Sequence, residues 1–401
     1  MAHLRLSVVF HKLFGFKGYK LNEVALEDDR ILVSIKRVRK TSDCPKCSRR
    51  CLNTEEEYER RVRDLDISGK RCFLNFTERK IKCGCGYRGV EKLGFVDRYD
   101  RCTKRFEDYV SSLCKVMSLK DVSSVTGVDW KTAKNIDKKY LKQLVADLKL
   151  QNPGKIGVDE IAYQKGHKYL TVVRDLDKGI VIWVHEGRKK ETLDLFFKEL
   201  GKLKSHSIKV AVIDMWDPYI ASVKENTDAE IVFDKFHIAK KINEALDNVR
   251  KQEFANASMD ERKNFKKKRF IILYRNERLT EEKKEKLNDL MAKNDRLYQA
   301  YLLKEQALDI FDEQNEKTAL ERLDGWFANV KNGGFKQFDS VAGTLKRYFY
   351  GIKNYFKHHL TNAASEGFNN KINVIKRRAY GFHDLEYFKL KILQSCGYRV
   401  S

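Results

Sequence analysis

Two aspartates in the second half of the chain occupy positions at which their carboxylates could share a divalent metal ion. Asp159 lies in the apolar run KIGVDEIA, and Asp214 ends the run IKVAVID. Adjacent carboxylates repel each other unless cations share them, and Mg²⁺ prefers oxygen ligands of this kind. Glu160 is not expected to join them, because neighbouring residues of a strand point to opposite faces. Asp217, followed by Pro218, is better explained as the N-cap of a helix.

Glu366 is a lone acid in a basic segment. Between Ser340 and His383 it is the only acidic residue, whereas eight residues of this segment are basic. A solvated helix usually mixes its charges, so this pattern indicates a specific role. The alternative is that Glu366 lies in the first turn of a helix, where the helix dipole favours a negative charge. In a helical projection one polar stripe contains Glu366, Asn370, Asn373 and Arg377. The opposite side can pack on a core and contains Phe368, Ile372, Ile375 and Ala379.

Six of the nine cysteines lie between positions 44 and 85, flanked by the alternating stretches RILVSIKRV and RCFLNFTERKIKC. Paired thiolates on tight turns satisfy tetrahedral zinc and leave no position open, so such a zinc would be structural. The predicted ligands form the pairs CPKC and CGC: Cys44, Cys47, Cys83 and Cys85. Cys51 and Cys72 could substitute for members of the shortened second pair. Buried free cysteines are the alternative to a metal site.

A further group of residues suits contact with DNA. The segment 102–144 has the pattern of three helices, and a turn at Thr126–Gly127 joins the last two as in a helix-turn-helix. Ser118 and Asp129 stand where they could cap the second and third helices. The third helix opens with side chains able to reach bases and phosphates: Trp130, Lys131, Thr132, Lys134 and Asn135. A helical hairpin with a purely structural purpose is the alternative.

The elements that would bring Asp159 and Asp214 together follow a regular order after Pro153. The pattern predicts three strands, a helix, a fourth strand, a helix, a fifth strand and a long helical region. This is the element order of the ribonuclease H fold, in which a right-handed crossover brings the fourth strand beside the first. Asp159 lies in the first strand and Asp214 at the end of the fourth, so this pairing would place their carboxylates together.

Residues 250–345 are strongly charged and have a helical pattern. Within them the segment 262–278 contains eight basic residues and one acid, interleaved with three aromatic residues. We expect a helix over this segment. Its basic residues either bind phosphates or form an ordinary solvated face, and the pattern alone does not separate the two roles.

Composition indicates a globular, basic protein of 401 residues. Hydrophobic residues make up 42% of the chain, which excludes a disordered protein. The formal net charge of +24 favours a polyanionic partner, most often nucleic acid. No apolar run reaches the roughly 18–20 residues of a membrane span, and the N-terminus is a poor signal peptide. An odd number of cysteines in such a chain favours metal binding over disulfides.

With these residues in hand, the chain resembles bacterial insertion-sequence transposases of the DDE class, and most of all the ISL3 family. The resemblance covers nearly all of the chain and rests on the zinc segment, the helix-turn-helix and four motifs. In chain order the motifs are IGVDEIA, VIDMWDPY, FDKFHIAKKINEALDNVR and ASEGFNNKINVIKRRAYGF. The resemblance implies that Asp159, Asp214 and Glu366 are catalytic and hold Mg²⁺ or Mn²⁺, two ions per active site.

The resemblance leaves some roles open. The DKFH motif also fits the family, but the resemblance assigns no chemistry to Asp234 and His237. Either residue could support the metal ligands; Asp234 could instead be only a helix N-cap, and His237 only a core residue. Asn370 and Asn373 on the polar stripe are assigned to the same supporting group. Many DDE enzymes place Lys or Arg seven residues after the glutamate, where this chain has Asn373. Arg377, on the same stripe, would then take the phosphate-contacting role.

The expected architecture is therefore a multidomain α/β protein. Residues 1–100 would bind zinc, 101–150 form the helix-turn-helix, and 249–345 form an all-helical insertion. This insertion would interrupt a ribonuclease H-like catalytic domain with a mixed sheet, formed by residues 151–248 and 346–401. The main boundary lies at Pro153 in QNPGK.

The implied reaction is hydrolysis of a phosphodiester at the end of an insertion sequence, followed by transfer of the freed strand to target DNA. Expected partners are double-stranded DNA, namely the inverted repeats and the target, and further copies of the chain, as a dimer on DNA. The expected location is the bacterial cytoplasm, at the nucleoid. Two other functions stay open: a ribonuclease H-fold nuclease that cuts without strand transfer, and a transposase-derived DNA-binding regulator without catalysis.

Overall fold

The computed structural model describes residues 8, 14–146, 150–164, 166, 168–265, 268–361, 364–379 and 381–397, with only the backbone described at 264, 265 and 364–366. The chain divides into two compact units, residues 1–144 and 145–401. Each unit contains its own sheet and its own hydrophobic core. In the described part of the chain no helix is long and apolar enough to cross a membrane.

The first unit begins with a sheet that the sequence analysis did not foresee as a whole. Its strands alternate buried and exposed residues, as in β6, where Cys72, Leu74 and Phe76 are buried. The strands of this unit are β1 (Tyr19–Leu26), β2 (Arg30–Arg37), β3 (Ser42–Asp43), β4 (Arg50–Cys51), β5 (Thr54–Ile67), β6 (Lys70–Lys82) and β7 (Arg88–Val90). Five of them form a sheet of order β1-β2-β6-β5 with β7 on β6, and β3 pairs with β4.

After the sheet, the described part of the first unit contains the three predicted helices: α1 (Lys104–Val116), α2 (Leu119–Thr126) and α3 (Trp130–Ala146). Ser118 caps α2 by accepting a hydrogen bond from the Asp121 backbone N–H at 3.2 Å. Asp129 Oδ1 accepts the Lys131 N–H at 2.8 Å at the start of α3. Gly127 joins the two helices with a φ of 72°, a left-handed conformation that favours glycine.

The second unit is built on a five-stranded mixed sheet. Its strands are β8 (Lys155–Gln164), β9 (Lys168–Asp175), β10 (Ile180–Glu186), β11 (Val210–Ile213) and β12 (Glu230–Phe233). The order is β10-β9-β8-β11-β12, with antiparallel pairing among the first three strands. β11 is parallel to β8 and to β12. The prediction that the fourth strand lies beside the first is thus confirmed.

Helices connect these strands: α4 (Lys190–Leu200), α5 (Lys202–His206) and α6 (Asp217–Asn226). The prediction for Asp217 was wrong by one position, because the N-cap of α6 is Trp216 and Asp217 is the first helical residue. The Asp217 carboxylate instead accepts hydrogen bonds from Tyr348 Oη at 2.7 Å and from Arg347 Nη2 at 2.8 Å. It therefore ties α6 to the C-terminal helical region.

The rest of the second unit is helical. The helices are α7 (Lys235–Asn256), α8 (Met259–Phe265), α9 (Arg269–Leu273), α10 (Glu281–Ala292), α11 (Asp295–Ile310), α12 (Glu316–Gly333), α13 (Lys336–Arg347), α14 (Phe349–His358), α15 (Ala364–Arg378) and α16 (Leu385–Cys396). α14 packs on β12, α15 packs on β8, and α16 packs on β10. The apolar side of α15 behaves as predicted: Phe368, Ile372 and Ile375 join a core with residues of β8, β9 and β10.

The segment 262–278 is not the single helix that we expected. α8 ends at Phe265, α9 spans Arg269–Leu273, and a short 3₁₀ helix covers Asn276–Arg278. Several of its cations have acidic partners: Lys268 with Asp289, Arg269 with Asp247, and Arg275 with Asp309 and Asp312. Positions 266 and 267 lie outside the described residues. These pairs compete with phosphate binding and fix the interrupted helices to their neighbours.

Candidate functional site

The four predicted zinc ligands lie together in the first unit. Their sulfur atoms are all within 4.8 Å of one another, and two pairs are closer: Cys44 to Cys85 at 3.7 Å and Cys47 to Cys83 at 3.6 Å. Four sulfurs bound tetrahedrally at about 2.3 Å from zinc would stand about 3.8 Å apart. The group therefore fits a structural zinc, and the shortened second pair does not prevent this. Gly86, with a φ of 86°, allows the tight turn after Cys85.

The alternative ligands lie outside this group. Cys51 is buried beside it, and its thiol faces the Arg49 carbonyl at 3.8 Å. Cys72 belongs to the core of the five-stranded sheet, where burial raises its pKa to about 12. At Cys44, burial raises the pKa, but the backbone N–H groups of Cys47 and Lys46 outweigh this effect and lower it to about 7. At Cys47 and Cys83, the backbone hydrogen bonds lower the pKa, but burial and the neighbouring thiols outweigh them and raise it to about 11.

The residues predicted to contact DNA lie on the outer side of α3. Trp130, Lys131, Thr132 and Asn135 are exposed, and Lys134 is half-buried. The Lys131 ammonium lies 5.7 Å from the centre of the Trp130 ring. Opposite them, Ala133 and Ile136 pack into the core that α1 and α2 share. The first turns of α3 thus present polar and aromatic groups to solvent, as a recognition helix requires.

Asp159 and Asp214 meet where β11 ends beside β8, together with a histidine. Ligand atoms of Asp159, Asp214 and His237 all lie within 4.8 Å of one another. Asp159 is in β8 and Asp214 directly follows β11, and the parallel pairing of these strands places the two residues side by side. His237 lies in the first turn of α7, and its Nε2 is 3.0 Å from Asp214 Oδ1.

The charges of this cluster are only partly balanced. Burial lowers the pKa of His237, but the carboxylates of Asp214, Asp234 and Asp159 outweigh that effect and raise the pKa above its usual value. Among the described residues, no hydrogen bond of ordinary geometry reaches the buried Asp214 Oδ1, although the imidazole is close. Carboxylate oxygens concentrated in this way fit a divalent cation with oxygen ligands.

The helix that carries Glu366 reaches the same cluster. Asn369, on α15, donates a hydrogen bond from Nδ2 to Asp159 Oδ2 at 2.9 Å. The other oxygen of this carboxylate, Oδ1, accepts the Glu160 backbone N–H at 2.7 Å. Glu366 lies in the first turn of α15, but its side chain is outside the described part of the chain.

The four residues that the sequence analysis placed around the site differ in how they lie in the structure. Asp234 is the N-cap of α7, and its Oδ1 accepts the Phe236 N–H at 3.1 Å, so the capping role is confirmed. Asn370 and Arg377 are exposed, and Asn373 is half-buried. Asn369, which donates a hydrogen bond to Asp159, is the neighbour of the predicted residue Asn370.

Two charged residues near the cluster were missed or set aside. Arg174 of β9 is buried, and its guanidinium carbon lies 5.6 Å from the centre of the Phe368 ring of α15. Burial lowers the pKa of Arg174, and Asp159 and Asp234 oppose this. The sequence feature that could have identified Arg174 is its position as an arginine inside the apolar run KYLTVVRD. At Glu160, burial raises the pKa to about 7, with Arg188 opposing and Asp214 reinforcing the shift.

Comparisons with known proteins agree with this organisation. A family model described as Transposase, of the ISL3 type, matches residues 156–392. The helix-turn-helix domain of transposase family ISL3 matches 91–141, and the zinc-finger of transposase IS204/IS1001/IS1096/IS1165 matches 40–85.

Similar full-length proteins have corresponding names. The chain is 32% identical to the transposase for insertion sequence element IS1001 of Bordetella parapertussis over 392 residues, covering 96% of this chain and 97% of the relative. It is 28% identical to the transposase for insertion sequence element IS1557 of Mycobacterium tuberculosis, covering 100% of this chain and 97% of the relative. The chain therefore belongs to the ISL3 family of insertion-sequence transposases.

Proposed function

We propose that this transposase works by the DDE mechanism, with Asp159, Asp214 and Glu366 as the ligands of divalent cations. The observation that carries the proposal is the convergence of Asp159 and Asp214, which come from separate strands and share one cluster with His237. The contact between Asn369 and Asp159 supports the third ligand. Residues three apart in a helix are neighbours on its surface, and Glu366 precedes Asn369 by three positions.

The proposed fold of the second unit is ribonuclease H-like, with a helical insertion. Three antiparallel strands followed by two parallel ones, in the order β10-β9-β8-β11-β12, support this assignment. The insertion would cover residues 249–345 and separate the two parts of the catalytic domain, 151–248 and 346–401. α7 runs from Lys235 to Asn256 without a break, so the helix itself would lead from the first part into the insertion.

Each residue of the cluster would have a distinct task. Asp159, Asp214 and Glu366 would hold Mg²⁺ or Mn²⁺, two ions per site, and such ions activate the attacking oxygen and stabilise the leaving oxygen. Asn369 orients the Asp159 carboxylate, and His237 holds Asp214 from the side of α7. Asp234 fixes the start of α7 as its cap, so it positions His237. Arg377 is exposed on α15 and is available to a DNA phosphate.

The proposed reaction has two phosphodiester exchanges. In the first, a water oxygen attacks the phosphorus at the end of the element, and the 3′-oxygen leaves as a free 3′-hydroxyl. In the second, this hydroxyl attacks a phosphodiester of the target DNA, forms a new ester bond and releases another 3′-hydroxyl. No residue of the protein becomes covalently attached to DNA in either step.

The first unit would supply recognition. One structural zinc on Cys44, Cys47, Cys83 and Cys85 would hold its shape, and α3 would read the inverted repeats. We further propose a dimer on DNA as the active form, working at the bacterial nucleoid, because an element has two ends that must be processed together. The helix-turn-helix and the net charge of +24 support the DNA partner.

The test is metal-dependent cleavage and strand transfer on duplexes that carry the terminal inverted repeat of the element. Asp159→Asn should abolish both steps with Mg²⁺ while leaving end binding nearly unchanged. Asp228→Asn is the control and should retain most of the activity, because this exposed carboxylate contacts His206 and does not belong to the cluster. Full cleavage by Asp159→Asn would contradict the proposed mechanism.

The same assay separates the two other functions. Cleavage without any joined product would indicate a nuclease, and end binding without cleavage in Mg²⁺ or Mn²⁺ would indicate a regulator. The convergence of Asp159 and Asp214 favours catalysis over the regulator, because repelling carboxylates brought together without a cation would only destabilise the fold.

A further inference from the structure

Two large aromatic side chains that neighbour residues of the carboxylate cluster along the chain remain exposed. Trp216 follows Asp214 by two positions and is 41% exposed, and Phe236 directly precedes His237 and is 58% exposed. Nearby aromatic residues of the same elements, such as Tyr219 and Phe233, are buried. Single exposed aromatics are common, but two that lie within two residues of members of one polar cluster indicate a ligand with flat apolar faces.

Trp216 is held in place by a stack. The Arg188 guanidinium carbon lies over the indole, 5.5 Å from its centre, and over the Tyr169 ring, 4.3 Å from its centre. The indole Nε1 donates a hydrogen bond to the Arg188 carbonyl at 3.3 Å. Arg188 Nη1 also lies 3.9 Å from Glu160 Oε2. Because these contacts already order the indole, a ligand that stacks on it pays little conformational entropy.

Phe236 is held by the start of α7. Its backbone N–H is donated to the cap residue Asp234, and its ring stands nearly perpendicular to the His237 ring, 5.7 Å away. The ring lines a cavity of about 510 Å³ beside α7 and α9, whose wall also includes the charged residues Lys240, Glu244, Asp247 and Arg269. This volume is in the range of pockets that hold small ligands. An organic group can therefore lie against Phe236.

The substrate of the proposed function limits what these rings can bind. In an intact duplex each base face is covered by its neighbours, so an aromatic side chain cannot stack on it. Unpaired nucleotides expose these faces, and aromatic side chains are the usual platform for them in proteins that bind single strands. A phosphate at the carboxylate cluster would bring its flanking nucleotides toward the two rings.

We infer that Trp216 and Phe236 stack on the bases of unpaired nucleotides that flank the scissile phosphate. The site therefore selects opened DNA over intact duplex. This inference rests on the proposed function, since it takes the carboxylate cluster as the place of the scissile phosphate. Trp216 and Phe236 are positioning residues here, because they orient the strand and take no part in the exchange of bonds.

The test uses the full chain without divalent metal and a short single-stranded DNA that contains 2-aminopurine. Stacking on an aromatic ring should quench the fluorescence of the probe. Trp216→Leu and Phe236→Leu keep apolar bulk but lose the aromatic face, and each should weaken single-strand binding by about fivefold to a hundredfold. Trp216→Phe should recover most of the loss. Tyr298→Leu, which removes a 45% exposed aromatic side chain from α11, is the matched control and should have no effect.

A duplex of the same sequence completes the experiment. The affinity of the Trp216 and Phe236 variants for this duplex should differ by less than about twofold from that of the unchanged protein, because the first unit dominates duplex binding. Unchanged single-strand affinity in both variants, or an equal loss on duplex and single strand, would overturn the inference. Asp159→Asn separates the stacking inference from the proposed mechanism. Cleavage retained by this variant would contradict the mechanism but not the stacking. Quenching of the single-stranded probe does not depend on cleavage, so it should be the same in Asp159→Asn as in the unchanged protein.

Discussion

At the scale of single residues, two hydrogen bonds orient the carboxylate of Asp159, a proposed metal ligand. Asp159 receives one hydrogen bond from the Glu160 backbone and one from the Asn369 side chain, so each oxygen has a donor. The backbone contact does not depend on the side chain at position 160, unless that residue is proline, whereas the Asn369 contact depends on a single side chain. Asn369 is therefore the residue through which α15 orients the carboxylate.

Asn369→Ala should lower cleavage activity by about 10-fold to 100-fold, the usual cost of removing a partner of a metal ligand. The loss should shrink at high Mg²⁺ concentration, because a poorly oriented carboxylate weakens metal binding more than the chemical step. Cleavage measured over a Mg²⁺ titration checks this expectation. The control is Asn370→Ala, which removes an exposed amide from the same helix and should leave the titration unchanged. Similar losses in the two variants would count against a specific role for Asn369.

The zinc site offers a second comparison at this scale. Cys44→Ser should lose the metal and lower the melting temperature of the first unit, since zinc binding to a structural site contributes folding free energy. Cys72→Ser removes a thiol that is equally buried but belongs to the sheet core, so it should retain about one zinc per chain. Metal analysis of the two purified variants decides the matter. Zinc lost from Cys72→Ser and retained by Cys44→Ser would show that the ligand set is wrong.

At the scale of elements, the packing of α14 on β12 supports the start of α7. Gly351 lies against the Phe233 ring, and a Cβ atom at position 351 would be 2.4 Å from two ring carbons. Phe233 is fully buried between Tyr348 and Tyr350, so its ring cannot move away without cost. One residue later Asp234 caps the helix that carries His237. The position of this histidine thus depends on a contact between a helix and a strand.

Gly351→Ala should destabilise the second unit by about 1–3 kcal/mol, because overpacking outweighs the better helix propensity of alanine. Gly343→Ala in α13 is the matched control, since nothing lies within 4 Å of a Cβ there and the site is exposed. This variant should be more stable by up to about 1 kcal/mol. Urea unfolding of the two variants measures the difference. A stabilised Gly351→Ala would mean that β12 and α14 are less closely packed than described.

At the scale of the whole molecule, the proposed recognition helix and the proposed catalytic cluster lie in separate compact units. The zinc site and α3 belong to the first, and the carboxylate cluster belongs to the second. Protein groups that read base edges must match one particular DNA sequence. A site that acts on a phosphate contacts only the backbone, which all DNA sequences share. The division of the chain therefore matches a division between sequence-specific and general contacts.

The fragment 1–150 should bind DNA with the terminal inverted repeat more tightly than a scrambled duplex at the same salt concentration. Lys131→Glu should remove most of this preference, since the exposed lysine lies in the first turn of α3. Cutting of non-specific DNA by the full chain should persist in this variant. Fluorescence anisotropy on matched duplexes checks the first two expectations. Equal affinity of the fragment for both duplexes would place the specificity elsewhere, or in the assembled oligomer.

Local patterns in the sequence determined much of this protein. Alternating and helical periodicities predicted the strands β8 to β12 and the three helices of the first unit, because these signals depend only on neighbouring residues. Cysteine spacing predicted the four-sulfur group, because two tight turns leave few ways to satisfy a tetrahedral metal. Chain order predicted the meeting of Asp159 and Asp214, because crossovers between parallel strands are right-handed.

Other features depended on contacts between segments far apart in the chain. Asn369 rather than Asn370 reaches Asp159 because the rotation of α15 is decided by its packing on β8 and α16. One residue is a turn of 100°, and a projection based on average geometry cannot resolve that difference. Asp217 at the start of α6 binds Arg347 and Tyr348, and His237 at the start of α7 meets Asp214 after β11, because tertiary packing brings the ends of these elements together. Periodicity determines which face of an element is apolar, but only tertiary packing decides which polar side chains meet.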